Sequence, residues 1–207
     1  MTNRDDVLIV GGGLVGASLA CALVPLDLQI TVVESIPFES DKQPSFDERT
    51  IAITWSSRRV FEAIGIWDEI ASDAHTIRSI HVSDRGHAGI VRLHCSLINT
   101  EALGYVIPTR SIGQSLVNRL QKASSIRYIA PFNATNLEIS AEAVIVDCEE
   151  ISSPLSSSLL VIADGGRSPF AHKAGINKTK KRYPQSALVM IVGSNREHDG
   201  MAFERFT

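Results

Sequence analysis

The chain has 207 residues, 44% of them apolar and 21% charged, with 20 basic and 23 acidic side chains giving a formal net charge of −3. This ordinary globular composition excludes a disordered, collagenous or coiled-coil chain, and the weakly acidic balance argues against a nucleic-acid surface. At roughly 150 residues per domain the length fits one full domain and part of a second; the three scattered cysteines, Cys21, Cys95 and Cys148, make neither a disulfide framework nor a metal cluster.

Residues Val7 to Leu26 carry no charge, a run long enough to suggest a membrane span or a signal peptide. Its interior argues otherwise: three consecutive glycines would each cost a helix about 1 kcal/mol relative to alanine, and the preceding Asn3-Arg4-Asp5-Asp6 lacks the cationic flank of a signal. The run reads instead as parts of a β-α-β unit. Val7-Leu8-Ile9-Val10 has the composition of a strand buried on both faces. Small and apolar residues from Leu14 to Leu23 predict a helix packed closely on a sheet, ended by Pro25 and Asp27. Gln29 to Val33 predicts a second strand, which closes on Glu34.

Between strand and helix, Gly11-Gly12-Gly13-Leu14-Val15-Gly16 satisfies G-x-G-x-x-G in the context that gives the motif meaning. Gly11 allows a tight turn, Gly13 lets the backbone approach a pyrophosphate, and Gly16 removes a Cβ where helix meets strand. The helix N-terminus offers N–H groups and partial positive charge to a diphosphate. Glu34 stands eighteen residues after Gly16, where a carboxylate accepts hydrogen bonds from an adenosine ribose and repels a 2′-phosphate. The pattern predicts FAD or NAD rather than NADP at this position.

Further along, Ser35 to Phe46 reads as a loop, and a helical pattern runs from Ser56 to Ile64 and stops near Gly65. Ile80 to Asp84 and Ile90 to Leu93 predict a hairpin around turn glycines. A helix follows Pro108 with Arg110 in its first turn. Strands are predicted at Ile126 to Ile129, Leu137 to Ile139 and Ala143 to Val146, the last two paired. Leu159 to Ala163 predicts another buried strand running into Asp164-Gly165-Gly166. Asp164 there is either a ligand carboxylate at the carboxyl end of a sheet strand or part of an ordinary Asp-Gly turn.

Together these segments resemble the FAD-dependent aromatic hydroxylases, the para-hydroxybenzoate hydroxylase-like flavoprotein monooxygenases. The resemblance is closer still to their ubiquinone-biosynthesis branch. It is carried by Asp47-Glu48-Arg49-Thr50-Ile51-Ala52, by His81-Val82-Ser83-Asp84-Arg85-Gly86-His87-Ala88-Gly89, by Leu103-Gly104-Tyr105-Val106 and by Ala202-Phe203-Glu204-Arg205-Phe206-Thr207.

The resemblance implies an α/β fold: a Rossmann-like FAD-binding domain with a mainly parallel sheet, formed by 1–75 and 100–176, and part of a β-rich substrate domain formed by 76–99 and 177–207. It implies FAD held by the Gly11 to Gly16 turn, Glu34, Arg49, Arg110 and Asp164, with the two arginines along the diphosphate and ribityl side. The alternative for Arg49 is a surface ion pair with Asp47 or Glu48.

NAD(P)H is implied as reductant, O2 as co-substrate and a polyprenyl methoxyphenol as substrate. No histidine or other side chain is singled out as a catalytic base. Members of the family often have an arginine seven residues after the Asp-Gly acid, where Ala171 stands here; Arg167, His172 or Lys173 are the candidates to replace it. A third flavin motif, Gly-Asp followed by small residues, has no counterpart, since the chain contains no Gly-Asp dipeptide. The expectation is therefore a truncated fragment, inactive in hydroxylation, that keeps the adenosine half of the FAD site.

A cytoplasmic location with peripheral contact at the inner membrane is expected for a lipid-tailed substrate. The basic run Lys178-Thr179-Lys180-Lys181-Arg182 would meet anionic lipid at about 1 kcal/mol per cation, or else faces water. Two other readings stand beside this one: an NAD-binding dehydrogenase domain, and a non-catalytic remnant assembling with other quinone-pathway proteins.

Overall fold

The structure, a computed structural model, describes residues 4–38, 49–149, 151, 153–166 and 170–207. In chain order its first elements are β1 (Asp5–Val10), α1 (Leu14–Leu23), β2 (Ile30–Val33), β3 (Thr50–Thr54), α2 (Trp55–Ala63), α3 (Trp67–Ile70), β4 (His75–Ile77), β5 (Ser79–Asp84) and β6 (Ile90–His94). There follow β7 (Gly104–Pro108), α4 (Thr109–Lys122), β8 (Ile126–Ile129), β9 (Ala134–Ile139), β10 (Val144–Cys148), β11 (Leu155–Ile162), α5 (Phe170–Lys173) and β12 (Met201–Phe206). They pack as two units, Met1–Asp47 with Ile112–Gln185 and Glu48–Ser111 with Ser186–Thr207.

The first unit is built on a six-stranded sheet of order β8-β2-β1-β11-β10-β9. The four strands from β8 to β11 are mutually parallel, whereas β10 and β9 add an antiparallel hairpin beyond them. Among them β2 is covered on both faces, and all four of its residues are buried. The small residues of α1 serve the same packing. Gly16, Ala17, Ala20 and Cys21 form its buried side, and the Cys21 thiol lies 4.0 Å from the Leu116 carbonyl of α4. Burial pushes that thiol up to about 11, against a smaller opposing pull from Arg119, so it stays protonated at neutral pH.

On α4, Ile112, Leu116 and Leu120 are buried at i, i+4, i+8. Leu8, Val10, Val33, Phe132, Val144, Val146, Leu155 and Phe170 close a continuous core against the sheet. At the sheet's end, Arg127 reaches Asp5 at 3.1 Å and Thr31 at 3.0 Å, which supplies partners for a buried carboxylate and hydroxyl.

The second unit has two three-stranded sheets, of order β12-β5-β6 and β3-β7-β4. The expected hairpin is β5 with β6, and β12 joins β5 in parallel. This unit is larger than the segments 76–99 and 177–207 expected to separate from the rest. It also takes 50–75 and 100–111, because β3 and β4 both pair with β7 and so draw the flanking chain with them, whereas 177–185 goes with the first unit.

The helix expected from Ser56 begins at Trp55, one residue after Thr54, whose hydroxyl accepts from the Ser57 N–H as an N-cap. Arg58 of α2 lies over Trp55 and Trp67, 4.5 Å and 5.0 Å from the ring centroids, and pairs with Glu62 at 2.8 Å. Among the described residues no helix is long and apolar enough to cross a membrane; the uncharged run from Val7 is a strand, a turn and a ten-residue helix.

Candidate functional site

Four parallel strands end side by side, and hydrogen bonds tie the segments that leave them. Beyond β1, the Gly11 N–H donates to the Val33 carbonyl at 2.8 Å; beyond β11, the Ala163 N–H donates to the Val10 carbonyl at 2.7 Å. The Glu34 N–H donates to Ile129 at 3.0 Å, which ties the end of β2 to the end of β8. Ligands of open α/β sheets bind at such carboxyl ends.

Gly11 has φ +107°, a conformation that side chains rarely adopt, and a Cβ there would lie 2.4 Å from the Ala163 carbonyl oxygen. A Cβ on Gly16 would fall 1.9 Å from the Gly11 carbonyl oxygen. The turn can close onto α1 only without those side chains. Gly13 is the N-cap of α1, and its carbonyl accepts the Ala17 N–H at 2.9 Å, so the helix begins directly on the turn.

Glu34 is held against the glycines. One carboxylate oxygen accepts the Gly12 N–H at 2.7 Å; the other accepts the Ile36 N–H at 3.0 Å and the Ser35 hydroxyl at 3.1 Å. Asp164 adjoins the same turn from β11: its backbone nitrogen lies 2.8 Å from where a Gly11 Cβ would stand, and its carboxylate accepts the Gly166 N–H at 2.8 Å.

Gly11 to Gly16, Glu34 and Asp164 thus converge within the first unit. Arg49 and Arg110 belong to the second, where the Thr109 N–H donates to the Arg49 carbonyl at 2.8 Å and so sets the two arginines at one end of the β3–β7 pair. Asp47 and Glu48, the alternative partners of Arg49, and Arg167, one candidate for the role vacated at Ala171, lie outside the described residues.

Tyr128 of β8 was not singled out by its sequence, which offers no motif around it. It lies opposite Val32 of β2, two residues before Glu34, which places both side chains on one face of the sheet. Its hydroxyl and ring edge lie 2.8 Å from where a Gly12 Cβ would stand, and its ring stacks on Phe38 with centroids 4.0 Å apart. The hydroxyl is buried without a hydrogen-bond partner among the described residues. Burial, with the Glu34 charge as a second cause, drives its acidity far below that of an ordinary phenol, so it remains a donor.

A glycine turn cleared of Cβ atoms, a helix starting on it, and acids beyond the ends of the two strands that flank β1 define a dinucleotide-binding α/β protein of the Rossmann type. The chain belongs to the FAD binding domain family, whose match runs over residues 4–201.

Among curated relatives it is 33% identical over 202 residues to the ubiquinone hydroxylase UbiL of Rhodospirillum rubrum, covering 97% of this chain and 46% of that protein. It is 26% identical to the 3-demethoxyubiquinol 3-hydroxylase of Escherichia coli, covering 100% and 53%. The fold matches PqsL of Pseudomonas aeruginosa, a probable FAD-dependent monooxygenase, with TM-score 0.73 at 20% identity over 88% of this chain and 48% of that one. The p-nitrophenol 4-monooxygenase PnpA of Pseudomonas putida gives 0.71 at 18% identity, over 84% and 44%. The chain spans about half the length of the curated relatives it matches.

Proposed function

We propose that this chain forms the adenosine-binding portion of an FAD-dependent monooxygenase that hydroxylates a polyprenyl methoxyphenol in ubiquinone biosynthesis. The convergence of the Gly11 to Gly16 turn, Glu34 and Asp164 on neighbouring strand ends carries this reading. The residues fit an adenine dinucleotide: the turn admits a diphosphate where Cβ atoms are absent, and a buried hydroxyl without a partner among the described residues stands beside it. The names of the relatives support the pathway and the oxidoreductase class.

In this reading the N–H groups at the start of α1 bind the diphosphate. Glu34 accepts hydrogen bonds from the adenosine ribose and disfavours a 2′-phosphate. Asp164 reaches the FAD ribose and helps NAD(P)H bind, and Arg49 and Arg110 supply guanidinium groups for the diphosphate and ribityl chain. The β-rich segments around β5, β6 and β12 contribute to the substrate domain. When bound, the flavin supplies reduction by NAD(P)H and transfer of an oxygen atom from O2 to an electron-rich ring. The exposed run Lys178 to Arg182 contacts anionic lipid at the inner membrane, where a polyprenyl substrate resides.

The test is the absorbance spectrum of the purified chain after incubation with FAD and gel filtration. Co-elution of flavin with the protein is expected. A colourless protein that binds NAD+ would favour the dehydrogenase reading instead.

A further inference from the structure

We propose that Tyr128 is a specificity-determining residue of the dinucleotide site, its hydroxyl donating a hydrogen bond to a ribose hydroxyl oxygen of the bound adenosine. The inference rests on the FAD reading above and extends it to a residue on β8. A phenol donor buried from water and without an acceptor among the described residues is costly, and buried polar groups in native proteins are nearly always paired. Such an orphan calls for an acceptor that arrives with a ligand.

Position selects the ligand atom. The Tyr128 hydroxyl adjoins Gly12, whose N–H is bonded to Glu34, and the phenol shares a sheet face with that carboxylate. A ribose hydroxyl is both donor and acceptor. It can give its proton to Glu34 and receive one from Tyr128, which neither a second carboxylate nor a diphosphate oxygen could do. The Phe38 stack on one side and the glycine turn on the other hold the phenol ring in place. Burial keeps the phenol protonated, as this role requires.

The experiment is calorimetric titration of the full chain and of Tyr128→Phe with ADP, 2′-deoxy-ADP and 3′-deoxy-ADP, together with the thermal midpoint of each ligand-free protein. The variant should bind ADP about five- to tenfold more weakly, the range of one net hydrogen bond. That loss should shrink to within about twofold for the deoxy analogue lacking the contacted hydroxyl. The midpoint of the ligand-free variant should be unchanged or raised, because an unpaired hydroxyl has been removed.

ADP affinity of the variant within about twofold of the parent overturns the proposal. So does a lowered ligand-free midpoint, which would show that the hydroxyl is satisfied within the protein. If the parent chain, folded, binds neither ADP nor FAD, the FAD reading itself falls, and this proposal with it.

Discussion

Gly16 tolerates no side chain, because a Cβ would enter the Gly11 carbonyl and press on Ile9 at 3.2 Å. Both neighbours are fixed, one by the turn and the other by its complete burial in β1, so neither yields cheaply. Gly16→Ala is therefore expected to lower the stability of the chain by about 3 kcal/mol, at the upper end of overpacking costs, as read by denaturant titration. Glu34 differs in kind. Its two carboxylate oxygens already receive the Gly12, Ser35 and Ile36 donors, and Gln keeps only one of those acceptors, setting its NH2 against a backbone N–H at the other. Glu34→Gln should therefore lower stability by about 1–3 kcal/mol, read by denaturant titration, and also weaken ADP about tenfold and narrow its preference over 2′-phospho-ADP, measured by calorimetry.

At this scale the sequence was most informative where chemistry is local. Six consecutive positions and one acid announced the turn, since each glycine answers a nearby backbone constraint. Tyr128 gave no such signal: its importance arises from a parallel pairing with β2, and Gly12 lies 116 positions away in the chain.

At the scale of elements, periodicity revealed the pieces that bury one face or two. β1, α1, β2 and the paired β9 and β10 follow from buried apolar runs and alternation. The sequence pattern marks out no strand at β3, β4 or β7. β4 has only three residues, and β7 begins at a glycine and ends at a proline, both weak strand formers, so their sheet is legible only through pairing at long range.

The same unit carries an aromatic box that spacing alone does not show. Arg58 is held between Trp55 and Trp67 with Tyr105 nearby, and Tyr105 donates to Glu101 at 2.6 Å. The Arg58 side chain is only 17% exposed, so its loss empties packed space and leaves Glu62 without its partner. Arg58→Ala should cost about 2 kcal/mol. Both tryptophans of the chain flank the guanidinium, so intrinsic fluorescence would report the change directly.

At the scale of the whole molecule, each unit keeps its own core, and the segments joining them cross between the units in sequence. Composition suggested one domain and part of another; strand pairing set where the division falls. Leu188, Val189, Met190, Ile191 and Val192 are 64–84% exposed, and Phe203 and Phe206 add further exposed apolar area on β12. The chain also spans about half of its relatives' length.

The central claim is that the adenosine half of the FAD site is built by these residues. It is tested most directly by calorimetric titration of the purified 207-residue chain with ADP, followed by competition with FAD. One ADP per chain is expected, displaced by FAD at the same site and abolished by a large side chain at Gly11. A folded chain, verified by circular dichroism, that shows no binding of either ligand would contradict it.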